Sequence, residues 1–251
     1  MSSKVILTTL DWLTAAEDSG LEQLKPVLSS LNRSGVVVVG WTACDRAELE
    51  PIRAALSWSA PFIVESGSAI FTPVDHNPFA TPLGEQEGAY FVEALGCPYV
   101  QARAGLRVLA NLISHPLKGY GDFTVPQLER FLKVTEDGAH RAKAREFSEP
   151  FMTPKAVDSE TLVSAAKEIG FGVILRDQKD NRFSELVGAG VSLERAITLI
   201  VGAYKDRNAD ASISIVASRE VMNSFSFGEG VASHWEMVGV DSFESWVNAL
   251  R

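Results

Sequence analysis

Cysteine is scarce in this sequence, which contains only Cys44 and Cys97 among 251 residues. Two cysteines provide neither a disulfide framework nor the paired spacing of a zinc site, so we interpret both as ordinary thiols. The four histidines also show no ligand spacing. We therefore expect no metal site built from cysteine or histidine.

Basic residues are also fewer than acidic ones. The chain has 23 Lys and Arg residues against 32 Asp and Glu residues, which gives a formal net charge of −9. Nucleic acids and anionic membranes select basic surfaces, so we expect neither as a partner. This balance still permits a local basic pocket for a small phosphate ester.

Long apolar runs are absent too. No stretch approaches the ~20 residues that span a bilayer, and the start, MSSKVILTT, lacks the charged and apolar segments of a signal peptide. We expect a cytoplasmic protein. The composition, 46% hydrophobic and 22% charged, is typical of globular proteins, and the length allows one large domain or two smaller ones.

The sequence does contain a first strand that ends in polar residues. Residues 4–13 read KVILTTLDWL, an apolar run that leads into Thr9, Leu10 and Asp11. Ligands of parallel α/β sheets gather at the carboxyl ends of strands, so this end is a candidate site. A structural role for Asp11, as a cap or turn residue, is the alternative that this stretch alone leaves open.

The order of elements predicts an α/β fold. Apolar strands alternate with helical periodicity after the first strand, which is typical of a parallel sheet with right-handed crossovers. Prolines crowd the chain from Pro73 onward and indicate a boundary. We predict a doubly wound parallel-sheet core formed by residues 1–80 and 188–251, with an inserted α+β domain at residues 81–187.

Four strings carry a resemblance to a known family. They are TACDRAE (42–48), PFIVESGSAIF (61–71), GYGD (119–122) and AKAREFSE (142–149). Together they resemble the haloacid dehalogenase (HAD) superfamily, in its branch with a large α/β cap domain, and within it the mannosyl-3-phosphoglycerate phosphatase family. The resemblance implies a HAD-like core with an inserted cap.

The resemblance assigns roles at the first two strands. The family's first strand ends in Asp-x-Asp, a nucleophile followed by an acid/base residue. Here Thr9 takes the nucleophile position and Asp11 the acid/base position. Thr42 takes the position of the hydroxyl that binds the phosphoryl group. A threonine cannot form the family's aspartyl-phosphate, so the resemblance implies that this step is lost.

Further on, the family's charged groups are also replaced. Ser192 stands at or near the position of the lysine that neutralises phosphoryl charge, and Ala217 and Val221 occupy the metal-binding acid positions. Glu220 is the acid nearest to them. Magnesium prefers oxygen ligands that include carboxylates. The resemblance therefore implies no metal and no cofactor, unless a site rebuilt from Asp11, Glu220 and other groups binds magnesium.

The family's ligand-binding positions are better preserved. In the family these positions line the pocket for the phosphoglycerate and sugar. Six residues match them: Arg46, Gly121, Asp122, Lys143, Arg145 and Glu146. The alternative for Lys143 and Arg145 is that they are solvated charges at a helix end. Cys44 replaces a lysine of the second motif, which removes one positive charge.

Three functional hypotheses follow. The first is a non-catalytic relative of these phosphatases that binds a sugar phosphate, a phosphoglycerate-type ligand or a protein partner without hydrolysis. The second is an active, magnesium-dependent phosphatase, a phosphoric monoester hydrolase, with a rebuilt metal site. The third is a pure interaction module. Trp12 and Trp41 either fill space beside the former active site or are ordinary core residues.

Overall fold

The computed structural model describes residues 4–14, 18–176, 183–225, 227 and 235–250. The chain divides into two compact units. Unit 1 consists of Met1–Ala43, Glu50–Glu93 and Leu193–Arg251. Unit 2 consists of Cys44–Leu49 and Ala94–Ser192.

Strands and helices alternate along most of the described chain. The strands are β1 (Lys4–Thr9), β2 (Val37–Trp41), β3 (Phe62–Val64), β4 (Ala69–Pro73), β5 (Glu85–Glu87), β6 (Tyr90–Ala94), β7 (Glu149–Met152), β8 (Phe171–Ile174), β9 (Phe183–Gly188), β10 (Ser212–Ser218) and β11 (Glu236–Val240). The α-helices are α1 (Asp11–Thr14), α2 (Asp18–Arg33), α3 (Arg46–Leu56), α4 (Tyr99–Leu112), α5 (Val125–Leu132), α6 (Glu136–Ala142), α7 (Ser159–Glu168), α8 (Leu193–Arg207), α9 (Arg219–Ser224) and α10 (Phe243–Ala249). Short 3₁₀ helices occupy Glu65–Gly67, Val74–His76 and Tyr120–Asp122.

Unit 1 is organised around an eight-stranded sheet in the order β11-β10-β1-β2-β3-β4-β6-β5. The first five of these strands pair in parallel, whereas β3 with β4 and β5 with β6 pair antiparallel. The chain leaves β1 toward β2 and later returns to β10 on its other side. The carboxyl end of β1 therefore lies at a topological switch point, where ligands bind in open α/β sheets.

The centre of this sheet is apolar because its strands are buried on both faces. Val5, Leu7 and Val39 are completely buried, as expected for parallel strands covered by helices. A short polar chain crosses this core: the Trp246 indole donates to the Thr8 hydroxyl at 2.6 Å, which donates to the Val216 carbonyl at 2.7 Å. These bonds satisfy both buried polar side chains and fasten α10 to the sheet.

Unit 2 contains a three-stranded antiparallel sheet in the order β7-β9-β8. One apolar cluster joins α4 and α7 to Phe151 and Leu186 on one face of that sheet. A second cluster contains Phe183, which pairs with Met152 and therefore belongs to the opposite face, together with Tyr120 and Leu128. An antiparallel sheet that packs against helices in this way is typical of an α+β unit.

The predicted fold class, α/β with a central and mostly parallel sheet, is confirmed. One assignment differs in detail: residues 85–94, which the sequence places in the inserted domain, form β5 and β6 of the larger sheet. The domain boundaries at residues 80 and 188 stay predictions. Glu17 and Arg182 lie outside the described residues, although the sequence predicts them at the start of a helix and a strand.

None of the helices in the described ranges has both the length and the apolar character that crossing a bilayer requires.

Candidate functional site

The carboxyl end of β1 places a threonine and an aspartate close together. Thr9, the last residue of β1, is 3% exposed, and its Oγ1 accepts a hydrogen bond from the backbone N–H of Asp11 at 3.2 Å. The Thr42 hydroxyl donates to Oδ1 of Asp11 at 3.0 Å. The structure thus brings together three of the predicted site residues, and they hydrogen-bond to one another.

Backbone pairing explains why Thr42 reaches this position. Thr9 lies beside Trp41 in the parallel register of β1 and β2, so both strands end at the same edge. The backbone N–H of Thr42 donates to the Ile63 carbonyl at 3.0 Å, which ties the loop after β2 to β3. The sequence predicts this proximity because parallel strands end at a common edge.

On the other side of β1, the end of β10 presents a methyl group. Ala217 is completely buried, and Ser218, the next residue, caps α9 by accepting a hydrogen bond from the Val221 N–H at 3.2 Å. Val221 is half-buried in α9, and Glu220 beside it is exposed. Ala217 and Val221, which the resemblance assigns to metal-binding acid positions, therefore present apolar side chains at the end of β10 and in α9, and the assignment stays a prediction.

The residues at this edge do not fit a magnesium ion. Asp11 is the carboxylate placed beside Thr9, and Ala217 offers no oxygen. Magnesium needs octahedral oxygen coordination with one or two carboxylates. Among the residues that the structure describes, no group of three or more His, Cys, Asp or Glu side chains is placed to hold a metal ion.

Two tryptophans lie near these positions. Trp41 is 3% exposed and meets Phe225 edge to face, with the ring centroids 6.0 Å apart. Trp12 is half-buried in α1. Trp41 is therefore a packed core residue of unit 1, with a large aromatic ring that is almost completely buried.

Ser192, the residue at the predicted lysine position, belongs to unit 2 and not to unit 1. Ser192 is half-buried in the loop between β9 and α8, and it is the last residue of unit 2. Its role as the replaced lysine position stays a prediction.

Within unit 2, Arg145 is the centre of a buried ionic network. Its Nη1 lies 3.1 Å from Oε1 of Glu185, and its Nε lies 3.8 Å from Oδ2 of Asp45. The Ser148 hydroxyl donates to the same Glu185 oxygen at 2.7 Å. Arg145 is only 8% exposed. The alternative of a solvated charge at a helix end is therefore wrong for Arg145, because carboxylates from distant parts of the chain surround its guanidinium.

A second ion pair links two more predicted ligand-binding residues. Arg46 donates to both carboxylate oxygens of Glu146, at 2.9 and 3.3 Å. Both side chains are about one-third exposed, so solvent screens the pair. Arg176 completes the set by donating to Glu185 at 3.0 Å.

The charges of this unit 2 set cancel. It consists of three arginines and three carboxylates: Arg46, Arg145, Arg176, Asp45, Glu146 and Glu185. Tyr120 packs beside it, with the Arg145 guanidinium 5.8 Å from the ring centroid. Burial raises the pKa of Tyr120 well above its ordinary value, so this hydroxyl stays protonated near neutral pH. An anionic ligand must compete with the carboxylates already present.

The GYGD string is held by ionic contacts, one of them to the buried Glu149. Arg103 of α4 donates to Oε1 of Glu149 at 2.9 Å and to Oδ1 of Asp122 at 2.8 Å. The Gly121 N–H also donates to Oε1 of Glu149, and the Gly119 N–H donates to Asp122. Although burial opposes the charged form, the bonds from Arg103 and Gly119 lower the pKa of Asp122.

This arrangement explains both glycines of the string. A Cβ atom on Gly119 would lie 2.0 Å from Oε1 of Glu149, and one on Gly121 would lie 2.4 Å from Nη1 of Arg103. Glu149 is completely buried. Gly121 and Asp122 are therefore positioned by structural contacts, and their predicted role in ligand binding stays a prediction.

Lys143 follows the end of α6 and donates through Nζ to the Phe123 carbonyl. This bond joins the end of α6 to the residue that follows the GYGD string. Lys143 is half-buried, so it is not simply a solvated charge.

Sequence reasoning missed three residues that organise unit 2: Arg103, Glu149 and Glu185. A signal exists for the two acids, because Glu149 closes the matched string AKAREFSE and Glu185 interrupts an apolar strand. An acid inside a buried strand indicates a paired charge, since an unpaired one is too costly to bury. Arg103 carries no such signal on its helix.

Comparison with known proteins gives the chain its family. No protein-family model matches it. A glucosyl-3-phosphoglycerate/mannosyl-3-phosphoglycerate phosphatase from Persephonella marina is 30% identical over 212 residues, which cover 84% of this chain and 76% of that protein. The chain belongs to the mannosyl-3-phosphoglycerate phosphatase family. A second member, from Pyrococcus furiosus, is 36% identical over 146 residues, which cover 58% of this chain and 59% of that one.

Solved structures agree on the HAD fold of this family member. A Thermoplasma acidophilum protein superposes with a TM-score of 0.61 at 11% identity, and it covers 100% of this chain and 97% of its own. A Synechocystis sucrose-phosphatase, solved with sucrose and phosphate, gives 0.57 at 10% identity with the same coverage. Both likenesses show the fold alone. The names of the family relatives favour the phosphatase hypothesis over the non-catalytic one.

Proposed function

We propose that this chain is a non-hydrolytic member of its family that binds a sugar phosphate or a phosphoglycerate-type ligand. One observation carries the proposal: the buried hydroxyl of Thr9 stands at the end of β1, where the family resemblance puts the nucleophilic carboxylate. An aspartyl-phosphate requires a carboxylate oxygen as the attacking atom. The neighbouring carboxylate, Asp11, accepts a hydrogen bond from Thr42.

Charge neutralisation supports the same conclusion. Phosphoryl transfer depends mainly on positioning and on cations that balance the charge developing in the transition state. Ser192 supplies no positive charge at the family's lysine position, and Ala217 and Val221 supply no carboxylate for a metal ion. These three replacements accompany Thr9, so four contributions are missing together.

Ligand recognition is proposed to involve Arg46. It is the most exposed arginine of the charge-balanced set, and its planar guanidinium already binds a carboxylate in a two-bond arrangement. The carboxylate or phosphate of a phosphoglycerate ester presents the same geometry. Such a ligand would replace Glu146 as the partner of Arg46, which favours modest affinity.

The first experiment measures hydrolysis. Mannosyl-3-phosphoglycerate and glucosyl-3-phosphoglycerate are incubated with the protein and magnesium, and released phosphate is quantified beside the Persephonella marina relative as the positive control. We expect no release above the buffer rate. Turnover in the ordinary enzyme range, about 1 s⁻¹ or faster, would contradict the proposal.

The second experiment measures binding of the same two esters by thermal shift and titration calorimetry. A ligand at a hundredfold excess over its dissociation constant adds about 2.7 kcal/mol to the free energy of unfolding. We expect a shift that Arg46→Gln removes and that Arg130→Gln, an exposed arginine of α5, leaves intact. No shift with either ester would favour the interaction-module hypothesis, in which a protein partner replaces the small ligand.

An active phosphatase is the second candidate, and the names of the family relatives favour it. In this case Asp11 is the residue best placed to exchange a proton with the leaving group, because it lies beside Thr9 and Thr42. The candidate predicts measurable phosphate release that Asp11→Asn abolishes. Release that survives Asp11→Asn would exclude Asp11 as the acid.

A further inference from the structure

Unit 1 contains a cavity at the amino-terminal edge of its sheet, away from Thr9 and Asp11. The cavity has a volume of about 540 Å³ and opens between the last turns of α2 and α3, the start of β2 and the 3₁₀ turn at Val74–His76. Four residue steps separate Val37 from Trp41 in β2, so the two ends of the strand lie roughly 13 Å apart at about 3.3 Å per residue. The cavity is therefore separate from the candidate site beyond Trp41.

The walls combine an apolar surface with a fixed aromatic ring. Leu28, Val36 and Leu56 line the cavity together with Trp58. The Trp58 indole N–H donates to the Val38 carbonyl at 2.9 Å, which fixes the plane of the ring. A preformed apolar pocket of roughly 300–1,000 Å³ with a few polar groups is the usual form of a small-molecule site.

The polar groups of the cavity carry positive charge or none. Arg33 and His76 line it, together with asparagine and serine side chains. Among the described residues that form its lining, none is aspartate or glutamate. Asp75 precedes His76 in the chain but is not part of the lining. In a chain with a formal charge of −9, a concave surface without acids favours an anionic guest.

The last turns of α2 and α3 at the cavity are closed by backbone hydrogen bonds from the residues that follow them. In α2 the Val36 N–H donates to the Leu31 carbonyl past Gly35, which has a φ of 73°. In α3 the Trp58 N–H donates to the Arg53 carbonyl past Ser57, which has a φ of 51°. Each bond occupies one carbonyl of a last helical turn. A helix C-terminus still carries partial negative charge, so the attraction for an anion must come from Arg33.

We propose that this cavity is a second small-molecule site, which binds a ring-bearing molecule with one anionic group. The ring packs between Trp58 and the aliphatic side chains, and the carboxylate or phosphate pairs with Arg33. The proposal is independent of the candidate site at the end of β1, because it uses none of the residues there.

Titration calorimetry with benzoate and phenyl phosphate tests this site, with benzyl alcohol as the neutral probe and benzylamine as the cationic one. We expect saturable one-to-one binding of at least one anion, weakened by added NaCl, and no binding of the neutral or cationic probes. Arg33→Gln is expected to lower the affinity on the order of ten- to a hundredfold, as for loss of a charged hydrogen bond.

Two further variants separate the alternatives. Ser29→Phe fills the cavity from the exposed side of α2 and is expected to abolish binding, whereas Lys25→Gln, an exposed charge change on the same helix outside the lining, is expected to leave it unchanged. The proposal is overturned by the absence of anion binding, or by binding that survives both Arg33→Gln and Ser29→Phe. Binding that only Arg46→Gln removes would assign the anion to the unit 2 set instead.

Discussion

Replacing Arg103 by methionine tests whether the GYGD string is held by buried charge. In the native protein Arg103 bonds both Glu149, which is completely buried, and Asp122. Removing one partner of a buried ion pair typically costs 3–5 kcal/mol, because the other charge stays buried without compensation. Arg103 is 19% exposed and the Gly121 N–H still reaches Glu149. We therefore expect Arg103→Met to lower the free energy of unfolding by about 3 kcal/mol.

Urea unfolding at pH 7 measures this loss, and a constant slope against denaturant shows that only stability has changed. The double variant Arg103→Met/Glu149→Gln is expected to recover much of the loss, since it removes the stranded charge. Arg107→Met, an exposed arginine one turn along α4, serves as the control and should change stability by no more than about 0.5 kcal/mol. A loss below about 1 kcal/mol, or no recovery in the double variant, would refute the reasoning.

Four other substitutions, two in each unit, have expected effects on stability. Gly119→Ala should lower the free energy of unfolding by about 1–3 kcal/mol, because the new Cβ would lie 2.0 Å from Oε1 of Glu149. At Gly202 in α8 an added Cβ would meet no atom within 4 Å, so Gly202→Ala should raise the free energy of unfolding by roughly 0.5–1 kcal/mol in the same urea assay. The pKa of Asp122 is lower in the folded protein than in the unfolded chain. The ionised carboxylate therefore stabilises the fold at pH values above the unfolded pKa of about 3.9. That contribution is lost as pH falls through the lower folded pKa, and Asp122→Asn should flatten this acid limb of stability. Trp246→Phe leaves the buried Thr8 hydroxyl without its donor and should cost roughly 1–2 kcal/mol.

The fold could be predicted from the sequence where the signal is local. Strands β1, β2 and β10 are short apolar runs between helical patterns, and parallel pairing then brings Thr9, Asp11 and Thr42 to one edge. The sheet order, with β1 between β2 and β10, is among the few orders that crossover rules permit once the elements are known.

The organisation of unit 2 could not be predicted in the same way. Glu149 bonds a residue 46 positions away and Glu185 one 40 positions away, so no local spacing reveals either pair. Glutamate is ordinarily a surface residue, and only its pairing with arginine permits burial. The inclusion of residues 85–94 in the larger sheet also depends on long-range packing, because a short antiparallel hairpin can pair with any open sheet edge.

The residues identified by the family resemblance fall into two groups, which differ in their contacts. The strings that match most fully supply Glu149, Arg145 and Asp122, which are engaged in ion pairs that position the strands and loops of unit 2. Replacing these residues would cost stability whether or not the protein turns over a substrate. At Thr9 and Ala217, by contrast, small side chains fit the ends of buried strands without any charge to neutralise. Folding energetics alone therefore accounts for the matching strings of unit 2, and they do not by themselves argue for hydrolysis. At the edge of the unit 1 sheet, the positions that the resemblance assigns to the nucleophile and to a metal-binding acid carry the hydroxyl of Thr9 and the methyl group of Ala217, so the proposed loss of hydrolysis depends on this edge and is tested by phosphate release.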